Sequence, residues 1–135
     1  MRYAIALVGL VVVVLSGALS ASAAGSATMV TVKLKEFALT PSPKTAPAGK
    51  VTFVVKNIGK VQHEMVVMKT NLPPGKLPLN AKGRVPEKGV VGEVGDVRPG
   101  QTKRATIALK PGRYVLLCNL AGHYKAGQYS GFVVR

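Results

Sequence analysis

The sequence holds one cysteine and two histidines, and the cysteine and one histidine fall in a single short run near its end. In Cys118-Asn119-Leu120-Ala121-Gly122-His123-Tyr124-Lys125-Ala126-Gly127-Gln128, a thiol, an imidazole and an amide recur at five-residue intervals. Gly122 and Gly127 permit the tight curvature that a ligand loop needs. The other imidazole, His63, stands at the head of an apolar run after Asn57–Gln62. Two imidazoles, one thiolate and a weak axial donor are the set expected of a blue-copper electron-transfer site. Thiolate and imidazole satisfy both Cu(I) and Cu(II), and the axial group adjusts the potential from a distance. With every strong donor supplied by protein, little room is left for substrate, which favours electron transfer over catalysis.

Plainer fates exist for each residue. A free cysteine is usually a small core hydrophobe; the histidine five residues on, in a glycine-bracketed loop, turns Cys118 towards metal. A Cys–His pair also invites a thiol-hydrolase reading, but no orienting Asp or Asn arrangement is evident. A single cysteine excludes an internal disulfide and a four-thiolate zinc site. Two histidines cannot supply multicopper chemistry. Met65 and Met68 could suggest a soft Cu(I) delivery site; core filling accounts for both more simply.

The elements that must position these groups read as strands. Met29–Phe37 alternates, with Val30, Val32 and Leu34 on one face and Thr31, Lys33 and Lys35 on the other, the pattern of a half-buried strand. Further strands are expected over 51–57, 63–69, 90–97, 102–109, 112–118 and 128–135. Pro41-Ser42-Pro43 and Pro47-Ala48-Gly49 punctuate a connection, and Pro99-Gly100 and Pro111-Gly112 mark tight reversals. Residues 71–90, with four prolines and three glycines, form a long irregular excursion of the kind that usually carries function or mobility. The expectation is an all-β Greek-key sandwich or barrel of about seven to eight strands. A sandwich gathers its strand ends, so His63 can meet the Cys118–Gln128 loop.

Composition sets the context. The 135 residues suit one domain, and a hydrophobic share of 47% is too high for a disordered basic tail. Met1-Arg2, the uncharged apolar run Ala4–Leu15 and the small residues of Ala21-Ser22-Ala23 read as a secretory signal peptide over residues 1–23. The domain then spans 24–135, and a retained membrane anchor is the alternative. Export places the protein in the periplasm or outside the cell, where a lone thiol needs a reason such as ligation or burial.

Pro-Gly-x-Tyr-x-x-x-Cys-Asn-x-x-Gly-His-Tyr-x-x-Gly, Pro111 to Gly127, resembles the closing motif of the cupredoxin family, small exported blue-copper proteins of the plastocyanin and sulfocyanin-like kind. Phe53-Val54-Val55-Lys56-Asn57-x-Gly59 followed by His63 resembles that family's first-ligand region. The resemblance implies one type 1 copper ion with His63, Cys118 and His123 as equatorial ligands, and Gln128 at the axial position, where most members carry methionine. It implies a one-electron carrier rather than an enzyme, the alternative being a copper storage or delivery protein. A purely structural sandwich module is a third possibility. In the family, an Asn or Ser often follows the first histidine and bonds towards the cysteine loop. Glu64 holds that place and is expected to be a solvated carboxylate. Apolar surface around the exposed histidine is where family members pass electrons, which points to Leu120 and Ala121 beside His123.

Lysine and arginine total 19 against 5 acidic residues, a formal charge of +14. The basic residues touch every strand region instead of clustering. Secretion and the lack of interleaved aromatics argue against nucleic acid. An acidic-surfaced redox protein, free or membrane-bound, is the expected partner of a monomer, with weak attraction to anionic membranes also expected. Lys60 and Lys125 lie nearest the ligand segments.

Overall fold

A computed structural model describes residues 25–135; the expected leader, residues 1–23, lies outside the described residues. Nine strands form two sheets: β1 (Thr28–Lys35), β2 (Ala38–Ser42), β3 (Thr45–Ala46), β4 (Gly49–Asn57), β5 (His63–Lys69), β6 (Val90–Val97), β7 (Thr102–Leu109), β8 (Gly112–Leu117) and β9 (Tyr129–Val134). One sheet runs β2-β1-β4-β7 and the other β3-β9-β8-β5-β6. The pairs β1/β4 and β3/β9 are parallel and the rest antiparallel.

The alternating runs became the strands. Val30, Val32 and Leu34 of β1 and Val51, Phe53 and Val55 of β4 face the opposite sheet, where Met65, Val67, Leu116 and Phe132 meet them. Burying such side chains stabilises the fold by roughly 1.5–3 kcal/mol each. The two strands that alternation did not announce are β2 and β3. Pro41 lies inside β2, which is tolerated because β2 is an edge strand whose only neighbour is β1. β3 is just two residues long, too short for any period to show.

β5 and β8 depart from simple alternation and are buried on both faces. Their outer side chains Val66, Met68, Val115 and Leu117 form a second apolar cluster with Leu77, Val85 and Tyr124. Leu77 and Val85 come from the excursion after β5, which is therefore a cover over the second sheet.

Gly112 opens β8 at φ +151°, and a Cβ there would meet Lys69 Cε at 3.0 Å. We expect Gly112→Val to lower unfolding stability by about 1–3 kcal/mol in a denaturant titration. An unchanged midpoint would mean that the reversal does not need glycine.

Candidate metal centre

Sheet register brings the candidate ligands to one end of the sandwich. β5 runs antiparallel to β8 with Val66 opposite Leu117, so His63 at the head of β5 lies beside the exit of β8, where Cys118 follows. β9 pairs back on β8 with Tyr129 opposite Leu117, and the Cys118 N–H donates to the Gln128 carbonyl at 3.0 Å. Cys118 and Gln128 thus close the base of the loop that carries His123.

The donor atoms of His63, Cys118 and His123 all lie within 4.8 Å of one another. Cys118 Sγ is 3.5 Å from His123 Nδ1 and 4.0 Å from His63 Nδ1, and the two Nδ1 atoms are 3.3 Å apart. His63 and Cys118 are fully buried, while His123 keeps partial exposure. Cys118 belongs to neither apolar cluster, which sets it apart from a core-filling cysteine. Gln128 is fully buried, with Nε2 donating to the Lys35 carbonyl at 3.1 Å and Oε1 left without a hydrogen-bond partner. An orphaned buried acceptor costs about 1–3 kcal/mol; a cation beside it would remove that cost. One soft thiolate and two imidazoles fit a single type 1 copper ion.

The family of cupredoxin-like domains matches this sequence over residues 5–129. The chain belongs to the cupredoxins. Among curated protein sequences nothing matches. The fold of this cupredoxin is similar to that of reduced auracyanin from Roseiflexus castenholzii, with 24% identity, TM-score 0.61, and coverage of 82% of this chain and 99% of that one. Auracyanin A from Chloroflexus aurantiacus, described as a blue copper protein, gives 21% identity and TM-score 0.58 over 80% of this chain and 98% of its own. Rusticyanin from Thiobacillus ferrooxidans gives 16% identity and TM-score 0.60 over 83% and 79%.

Burial favours the neutral forms of two of the cupredoxin's donors, the Cys118 thiol and the His63 imidazole. Burial pushes the Cys118 thiol up, opposed by backbone N–H bonds from Glu64 and Leu120. Burial holds the His63 imidazole below its ordinary range, opposed by its bond to Glu36. Binding a cation replaces the thiol proton.

Sequence reading missed Glu36. Its Oε1 lies 3.3 Å from His63 Nε2 and accepts the N–H groups of Lys60 at 2.6 Å and Val61 at 2.8 Å. These bonds hold its carboxyl at about 2, with the Val61 N–H the largest cause. The available signal was scarcity, since Glu36 is one of only 5 acidic residues. Glu64 also departs from expectation. It is half-buried, burial raises its carboxyl, and the Asn119 backbone N–H bonds to it. Glu64 is therefore not the freely solvated carboxylate that was expected.

The backbone of each ligand segment is fastened from outside. Buried Asn57 donates Nδ2 to the carbonyls of Val61 and Val97 and accepts the Gly59 N–H, fixing the loop before His63. Asn119 makes a two-point bond to the Val85 backbone, accepting its N–H at 2.7 Å and donating to its carbonyl at 2.9 Å. The Gly122 N–H reaches the Gly83 carbonyl. Tyr124 is buried, its hydroxyl donating to Pro74 C=O and accepting the Leu77 N–H. The excursion thus braces the ligand loop. We expect Asn119→Ala to destabilise the protein by about 1–3 kcal/mol for each of the two Val85 groups it orphans, read by urea unfolding. A loss below 0.5 kcal/mol, as an order-of-magnitude bound for ordinary surface changes, would show that water replaces the side chain.

On the surface, Ala121 is exposed and Leu120 partly so. Phe37, from the β1–β2 connection, was not foreseen: it is 49% exposed and meets the His123 ring edge-on with centroids 5.5 Å apart.

Proposed function

We propose that this cupredoxin is a one-electron carrier whose copper ion is held by His63, Cys118 and His123, with the Gln128 amide oxygen as weak axial donor. The observation that carries this is the convergence of three strong donors, two of them fully buried, on a partly exposed third. Copper there would supply a reversible one-electron couple. The chain's own residues do the rest. Buried Cys118 and His63 keep water from the donors, while His123 reaches the surface beside Phe37 and offers the short path by which an electron can enter or leave. Storage or delivery through Met65 and Met68 is disfavoured, because both side chains are buried in separate apolar clusters. The test is the absorption and electron paramagnetic resonance spectra of the copper-loaded protein. An intense thiolate-to-Cu(II) band with a narrow copper hyperfine splitting is expected; stoichiometric copper without that band would overturn the proposal.

The partner proposed is an acidic redox protein, met outside the cytoplasm after removal of residues 1–23. The formal charge, +14 for the full sequence and +13 once Arg2 leaves with the leader, supports the charge preference, and the lone cysteine and the leader pattern support the compartment. Lys60 and Lys125 are exposed on ligand-bearing segments. Electron exchange with an acidic partner is expected to slow as salt rises, since screening shortens to about 3 Å at 1 M. Lys60→Glu with Lys125→Glu should slow it several-fold at low salt and little at high salt. A rate indifferent to both would exclude steering by these residues.

A further inference from the structure

The carboxylate of Glu36 sits in a seat made for it. Lys60 N–H, Val61 N–H and His63 Nε2 all converge on the same oxygen, Oε1. The loop that provides them admits the carboxylate only because residue 59 is glycine: a Cβ there would lie 2.5 Å from Oε1. No lysine or arginine among the described residues pairs with it, despite 19 in the chain. On the other side of the ring, His63 Nδ1 faces Cys118 Sγ and His123 Nδ1.

We propose that Glu36 is a positioning residue for the His63 ligand: its carboxylate accepts a hydrogen bond from Nε2–H, leaves the Nδ1 lone pair for copper, and places a negative charge behind the ring that favours Cu(II) over Cu(I). This rests on the copper-carrier reading above. A carboxylate behind a ligating histidine fixes its tautomer and raises its donor strength, and losing such a partner typically changes metal affinity 10–100-fold. The more highly charged oxidation state gains more from a nearby anion, so neutralising that anion shifts preference towards Cu(I). Gln in place of Glu keeps an oxygen to accept the Lys60 and Val61 N–H groups, which separates the effect of charge from that of anchoring.

The test compares copper-loaded wild type with Glu36→Gln and adds nitrogen NMR of the metal-free wild type. A roughly tenfold shift of preference towards Cu(I) is expected, read as a rise of about 59 mV in reduction potential with the thiolate band kept. In the metal-free protein, His63 is expected to carry its proton on Nε2. An unchanged potential accompanied only by a lower melting temperature would reduce Glu36 to a loop anchor and overturn the proposal, as would a proton on Nδ1. If Glu36→Gln does not fold, the wild-type NMR decides. A wild type that binds copper without a thiolate band sinks the carrier reading instead, whatever the NMR shows.

Discussion

Replacing Cys118 with serine will abolish the intense visible band of the copper-loaded protein while leaving its fold in place. A serine hydroxyl does not ionise under conditions where a metal-bound thiol gives up its proton, so the strongest and softest donor is lost outright. The structural cost is small for two reasons. Cys118 belongs to neither apolar cluster, and the bond from its backbone N–H to the Gln128 carbonyl does not involve the side chain. The metal-free variant should therefore unfold within about 1 kcal/mol of the metal-free wild type, with the same far-ultraviolet circular dichroism. A variant that kept the band would require another thiolate, and the sequence has no second cysteine to supply one. Loss of fold along with loss of colour would instead assign Cys118 a packing role.

Gln128→Met is expected to raise the reduction potential by more than the ~59 mV that a tenfold change in preference represents for one electron. An amide oxygen is a harder donor than a thioether and favours Cu(II); the axial group is one of the main levers on such a site. The wild-type amide is held in one orientation. Its Nε2 is tied to the Lys35 carbonyl, which turns the group and leaves Oε1 as the spare acceptor. Methionine gives up the Lys35 bond, a loss of about 1 kcal/mol in stability, and brings sulfur to a site where the three stronger donors are unchanged. Voltammetry showing a lower potential for the variant would reverse the donor argument, and an unchanged potential would remove Gln128 from the copper's surroundings.

Much of this was legible because it is local. The Cys118–Gln128 loop shows its chemistry within eleven residues, and β1, β4, β5 and β7 to β9 show theirs by alternation or turn residues. His63 was legible from its place after the Asn57–Gln62 loop, from the need for a second imidazole, and from the resemblance of its approach to the family's first-ligand region. What stayed hidden acts between distant segments. Glu36 reaches a histidine 27 residues away, and nothing in its neighbourhood marks it except the rarity of acidic residues. Phe37 reads as the end of an alternating strand, yet β1 stops at Lys35 and leaves the ring free to meet His123. Glu64 looks like a surface charge until the register of β5 and β8 sets it against the cysteine loop. The excursion over 71–90 has no periodicity, so only its contacts with Asn119, Gly122 and Tyr124 reveal it as a brace.

The braces described around the two ligand segments are independent of each other and of the ion. Asn57 secures the approach to His63, while Val85, Gly83 and Pro74 secure the loop of Cys118 and His123. A seat tied to the scaffold by bonds that do not involve the donor atoms has little cause to flex when the charge of its ion changes. Charge can then hop on and off with small nuclear displacement, and speed becomes a property of the scaffold as much as of the metal.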